Sequence, residues 1–422
     1  MKTAKPETIG LSSARLERVT TWLQHQIDAE QLAGASVLVS RQGKVGYFEA
    51  AGVTDLGAGT PFDRETLVRI YSMTKPITTV AAMMLYEAGK FQLDDPVARY
   101  LPEFSDTPVW VGGASDIGAT ESCKQPMSIR HLMTHTSGLT YGFIRSNVVD
   151  AQYRRDKIDF SARTSTLAEM VKRVAAVPLM CQPGSQWNYS VSTDVLGRLV
   201  EVWSGKTLEA YLLEHILQPL GMASTGFHVA PENHGRFASL YMPLSGGDLS
   251  NVSKAPSVEA EERGGLDLME AAATSGFLEP TPLFSGGGGL TGSIDDYARL
   301  CQMLLNDGEL DGVRLLGRKT AQYMRMNHLP DGKDMAGMGQ PVWSETSYDG
   351  IGFGLGFAVV IDPVKAHIIT SPGEHHWGGA ASTFFWIDPE EELFVIFFAQ
   401  LMPSSTYPIR RELRTRVYQS LI

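Results

Sequence analysis

The sequence predicts an α+β fold: one antiparallel sheet built from both chain ends and flanked by helices, with a mainly helical region inserted between them. Three observations predict it. The chain opens helix–strand–strand. Its last third carries strand-like runs closed by a helix. The stretch between them is dominated by helical periodicity broken by long loops. The expected division is 1–71 with 290–422 for the sheet part and 72–289 for the helical part, which also supplies the pocket-forming loops.

Residues 12–30 (SSARLERVTTWLQHQIDAE) place Leu16, Val19, Leu23 and Ile27 on one helical face, with Ser12 or Ser13 as cap. ASVLVSRQGKVGYFEAAG then alternates on both sides of Arg41-Gln42-Gly43-Lys44, a hairpin signal. Residues 72–89 (SMTKPITTVAAMMLYEAG) read as a helix ending near Gly89, and Pro76 is tolerated only in its first turn. LDDPVARYLPEF and SIRHLMTHTSGL suggest short helices and loops. TLAEMVKRVAAVPLM, STDVLGRLVEVWSG and TLEAYLLEHILQPLGM are further helical runs, and Ser293 caps SIDDYARLCQMLLNDG. GFGLGFAVVID, ASTFFWIDP and LFVIFFAQL are strands, and PIRRELRTRVYQSLI closes the chain as a helix. Two stretches, 103–127 and 243–287, read as long loops of the kind that shape binding sites.

The composition is that of an ordinary globular protein, with 43% apolar and 20% charged residues. A formal net charge of −11 argues against nucleic-acid partners and anionic membrane surfaces. Three widely spaced cysteines suggest neither a disulfide framework nor a zinc site. The N-terminal stretch has no apolar signal core, and no run approaches the ~18 apolar residues of a membrane span. A cytoplasmic setting is the expectation.

Ser72-Met73-Thr74-Lys75 carries the first sign of chemistry. At a helix start, residues i and i+3 share a face, so the Lys75 amine can reach Ser72 Oγ. A serine needs a neighbouring base to attack, and a buried lysine can be one because burial lowers its pKa. A helix start also offers backbone N–H groups to an oxyanion. The same four residues also fit a capping serine followed by a solvated lysine. The apolar run that follows favours a buried helix. The chain has no Gly-x-Ser-x-Gly elbow. His131 and His135 are four apart with Leu132 between them, which fails the zincin pattern, so no metal is expected. Cys181 reads as a small buried hydrophobe, Gly286 to Gly289 as a wall of the site, and His375-His376 as either pocket-lining or structural.

Ser72-Met73-Thr74-Lys75, SIRHLMTHTSGL at 128–139, PGSQWNYS at 183–190 and SGGGGL at 285–290 together resemble the serine β-lactamase and penicillin-binding-protein superfamily over nearly the whole chain. The closer likeness is to class C β-lactamases and to the family VIII carboxylesterases. The resemblance implies a serine β-lactamase-like fold and an acyl-enzyme on Ser72, with Lys75 and Tyr189 as general base and acid. It needs no cofactor. A phenol beside a cation is expected to have a lowered pKa, which suits a proton relay.

Two motifs depart from the lactamase pattern. Where those enzymes have Lys-Thr-Gly, this chain has Trp377-Gly378-Gly379, the variant typical of the family VIII esterases. Tyr-x-Asn is here Tyr189-Ser190-Val191. An indole cannot bind a substrate carboxylate, so both changes point toward neutral esters; the resemblance to the family VIII esterases implies short acyl chains. The oxyanion donors are expected to be the N–H groups of Ser72 and Ala380. A β-lactamase, a D-amino-acid peptidase or amidase, or an acyltransferase would use the same site. A non-catalytic penicillin-binding-like module is the reading from a different class.

Overall fold

A computed structural model describes residues 1–159, 163–244, 265–339 and 348–422. The expected loop at 243–287 therefore falls partly outside the described residues.

Both chain ends build one eight-stranded sheet. Its strands are β1 (Gly34–Arg41), β2 (Lys44–Asp55), β3 (Thr60–Pro61), β4 (Ile351–Phe353), β5 (Ala358–Val360), β6 (His375–Gly378), β7 (Phe384–Asp388) and β8 (Leu393–Ala399). They lie in the order β4-β5-β6-β7-β8-β1-β2-β3, antiparallel throughout. The hairpin expected around Gln42-Gly43 is the β1–β2 connection.

β8 explains why the sheet needs helices on both faces. Every residue of LFVIFFA is buried. Alternate side chains point to opposite faces. Phe394, Ile396 and Phe398 enter one core, while Val395, Phe397 and Ala399 enter the other. The second core is closed by Leu16, Val19 and Leu23 of α1 (Ser13–Asp28), with Ile409, Leu413 and Val417 of the closing helix, Ile409–Tyr418. Ser12 caps α1 by accepting from the Arg15 N–H. The first core joins the sheet to the helical region. Each large side chain it fully buries contributes about 1.5–3 kcal/mol relative to exposure.

The helical region is organised around α2 (Thr74–Glu87). A single 3-10 turn, Tyr71–Met73, precedes it. Pro76 is the third residue of α2, where its missing N–H costs nothing. Thr74 through Met83 are all buried, so Lys75 does start a buried helix. α3 (Ile129–Met133), α4 (Leu167–Ala175), α5 (Ser192–Ser204) and α6 (Ile294–Leu305) follow, and α2 packs on α5. Val68–Arg69 pairs with Thr291–Gly292, which ties the segment before Ser72 to the glycine-rich segment before residue 290.

The 103–127 stretch forms a small hairpin, Val109–Trp110 with Thr120–Glu121. A groove of about 630 Å³ beside it is lined by Phe104, Cys123 and Met127 among others, and not by Ser72, Lys75 or Tyr189. No helix among the described residues is long and apolar enough to cross a membrane.

Behind β6 lies a fully buried ion pair. Arg414 grips Glu374 with Nη2 to Oε1 at 2.8 Å and Nε to Oε2 at 3.2 Å. His376 Nδ1 lies 2.8 Å from the same Oε1. Burial pushes the carboxyl up, but Arg414 and His376 win and hold it far below the usual range. Arg414→Ala is expected to destabilise the fold by about 3–5 kcal/mol, because it strands a buried carboxylate. Urea unfolding at neutral pH checks this, and a loss under 1 kcal/mol would contradict it.

Candidate active site

Four segments distant in sequence converge at the start of α2. Lys75 Nζ donates to Ser72 Oγ at 3.2 Å, to the Tyr141 hydroxyl at 3.1 Å and to the Gly287 carbonyl at 2.7 Å. The hydroxyl of Tyr189, three residues before α5, donates to Ser72 Oγ at 2.6 Å. Ser72 Oγ thus sits between an amine and a phenol. Lys75 Nζ also lies 4.6 Å from the centre of the Tyr189 ring.

Burial decides the protonation states. It lowers the Lys75 pKa to about 7, against an opposing pull from Asp194. A neutral amine is therefore available near pH 7. It has two N–H groups for Gly287 and Tyr141 and one lone pair for the Ser72 proton. The expectation that the cation lowers the Tyr189 pKa is corrected here. Burial raises it well above the ordinary phenol value, outweighing hydrogen bonding with Ser72 and Trp377. Tyr189 is a proton donor at rest, not a phenolate.

Trp377 lies on β6, its ring 5.4 Å from Tyr189 and 5.3 Å from Phe353. With Trp187 it makes an aromatic wall around Tyr189. β6 packs against the turn that carries Ser72. Gly378 pairs with Phe384 across the sheet. At Gly379 a Cβ would stand 2.4 Å from the Ile70 carbonyl, so only glycine lets β6 approach the nucleophile turn this closely. Ala380 is buried against Tyr71. Tyr71 itself holds a left-handed φ of 42°, a strained conformation one residue before Ser72.

The remaining candidates separate cleanly. His376 serves the Glu374 ion pair, and His375 packs on Phe357 with Nδ1 near the Gly373 carbonyl. His131 accepts the Ser128 N–H in the capping box of α3. His135 is buried behind Tyr189. Cys181 is buried, and no group of metal-ligating side chains occurs among the described residues. The glycine-rich segment is a wall of the site, through the Gly287 carbonyl. Sequence reasoning missed Tyr141 and Asp194. Asp194 sits in the first turn of α5, where a carboxylate is ordinary on dipole grounds alone. Tyr141 carries no pattern at all.

The Beta-lactamase family model matches residues 19–419. The chain belongs to that family. Its relatives include esterases. Esterase EstB of Burkholderia gladioli is 34% identical over 98% of both chains. Among solved structures, "EstCE1, a hydrolase with promiscuous acyltransferase activity" superposes with a TM-score of 0.76 at 28% identity, covering 96% of this chain and 99% of that one. Simvastatin synthase (LovD) from Aspergillus terreus superposes with a TM-score of 0.75 at 25% identity, covering 96% and 97%. The serine β-lactamase-like fold expected from the sequence is the fold observed, and the chain is an enzyme of this family.

Proposed function

We propose that the protein is a serine hydrolase of carboxylic esters, of the family VIII carboxylesterase type, acting through an acyl-enzyme on Ser72. The observation that carries this reading is the double engagement of Ser72 Oγ by Lys75 and Tyr189, all three buried. The neutral Lys75 amine takes the Ser72 proton as Oγ bonds to the ester carbonyl carbon. The N–H groups of Ser72 and Ala380 hold the oxyanion. The intermediate collapses by breaking the bond to the alcohol oxygen, which leaves with a proton from Tyr189. Water then attacks the acyl carbon and gives one proton to the Tyr189 phenolate, while the Lys75 ammonium returns its proton to Ser72 Oγ as the bond to the acyl group breaks; a carboxylic acid is released and all three side chains are restored. No cofactor enters. Trp377 supplies an apolar wall where a lactamase has a cationic lysine, which favours neutral esters; the likeness to the family VIII esterases favours short acyl chains. The three cysteines are unpaired, which fits the proposed cytoplasmic setting.

EstCE1, whose promiscuous acyltransferase activity accompanies hydrolysis, supports a second reading, in which an alcohol replaces water as the acyl acceptor. Only the second step differs.

The test is turnover of p-nitrophenyl esters from acetate to decanoate, with nitrocefin alongside. Short esters are expected to be hydrolysed, with kcat/KM falling as pH drops through about 7, where Lys75 gains its proton. A clear preference for nitrocefin would overturn the argument from Trp377. Adding a primary alcohol and measuring the new ester separates hydrolysis from transfer.

A further inference from the structure

Asp194 is a fully buried carboxylate in the first turn of α5. Its Oδ1 accepts from the Ser285 hydroxyl and from the Gly287 N–H, the latter at 3.1 Å. The carbonyl of that same Gly287 receives Lys75 Nζ. Ser285 Oγ in turn accepts the Gly288 N–H at 3.1 Å. The carboxylate therefore pins the Ser285–Gly288 turn, and the turn aims one carbonyl at the amine. The approach is so close that residue 287 can carry no side chain. A Cβ there would stand 2.5 Å from Asp194 Oδ2 and 3.0 Å from the Tyr141 hydroxyl. Oδ2 is buried and makes no hydrogen bond among the described residues.

We propose that Asp194 is a positioning residue for Lys75: it fixes the carbonyl that holds the amine, and its charge sets how much of the amine is neutral. The proposal rests on the reading of Lys75 as the base for Ser72.

The groups that face Lys75 leave Asp194 as the source of charge: burial pushes its carboxyl up, and the Ser285 hydroxyl, Lys75 and the Gly287 N–H oppose that. Ser72 is neutral. Burial keeps Tyr141 and Tyr189 protonated. Burial also keeps His135, which comes from the segment after α3, uncharged. Asp159 acts on Asp194 and Tyr141 rather than on Lys75. The Asp194 charge opposes the effect of burial on Lys75. Removing that charge must make the amine harder to protonate.

Asp194→Asn keeps the size and the Oδ1 acceptor while removing the charge. The acid limb of the kcat/KM profile for p-nitrophenyl acetate is expected to move to lower pH by about one unit or more. Asp194→Ala also frees the turn, and should lower kcat on the order of a hundredfold with little change in KM. A folded Asp194→Asn enzyme whose acid limb stays in place, or moves to higher pH, would overturn the proposal. Should that variant not fold, Ser285→Ala provides the same decision. A several-fold fall in kcat at constant KM supports the pinned turn, and an unchanged kcat and limb overturns it. Survival of ester turnover in Ser72→Ala would instead sink the serine mechanism on which the proposal stands.

Discussion

Ser72→Ala is expected to lower kcat/KM for a short p-nitrophenyl ester by about three or more orders of magnitude. The substitution deletes the atom that bonds to the acyl group and changes little else. Ser72 is small, and its neighbours Met73 and Thr74 are held by α2 and by contacts with the sheet core. The variant should therefore fold normally and lose covalent labelling by a fluorophosphonate. Groups that act as a unit are not additive. Adding Tyr189→Phe to Ser72→Ala should cost almost nothing more, although Tyr189→Phe alone is expected to cost about a hundredfold or more. Full ester activity in Ser72→Ala would place the nucleophile elsewhere.

Lys75→Met should separate activity from stability. Activity is expected to fall by about a hundred- to ten-thousandfold, because the base is gone. Stability is expected to rise. The amine has a pKa of 10.5 when unfolded and about 7 when folded. The unfolded chain thus binds more protons between these values, and wild-type stability climbs with pH across that window. At pH 8 the folded amine is mostly neutral, and keeping it so costs about 3 kcal/mol at roughly 1.4 kcal/mol per pH unit. Loss of the hydrogen bonds to Gly287 and Tyr141 returns about 1 kcal/mol each. A net gain of about 1 kcal/mol at pH 8 remains, shrinking as pH approaches 10.5. Asp194 loses little at pH 8, since its neighbour is already neutral in the wild type. Urea unfolding of both proteins at pH 8 and pH 10 measures this. A variant less stable than wild type at pH 8 would contradict the depressed amine.

The parts of the site legible in the sequence were those with local geometry. Ser72 and Lys75 share one helix start, so their spacing reports their contact. Pro76 marks that start. Trp377 and the glycines after it were legible through the family motif, because β6 meets the nucleophile turn only across the sheet. Asp194, Tyr141 and the Gly287 carbonyl were not legible. They act on Lys75 from three separate segments, and a carboxylate at a helix start or a tyrosine in a loop has commonplace explanations. The sign of the Tyr189 shift was missed for a related reason. The nearby cation was visible in the motif, but the extent of burial is a property of the packed fold. The helices and strands were legible because their apolar periodicities are long. The short pairs, such as Val68–Arg69 with Thr291–Gly292, carry too few residues to show a period.

The pairing of β1 with β8 has a consequence for how the chain comes into being. Val37 lies opposite Phe397 in the centre of the sheet. During synthesis the β1–β2 hairpin is made before the strand that covers its inner edge, which follows more than 300 residues later in the chain. Until β8 is made that edge, with Val37, Leu38 and Val39 beside it, has no native partner. Non-local pairing of this kind is slow and exposes the nascent chain to aggregation. The protein is therefore built to wait, and any truncation that removes β8 removes the neighbour that β1 was made to meet.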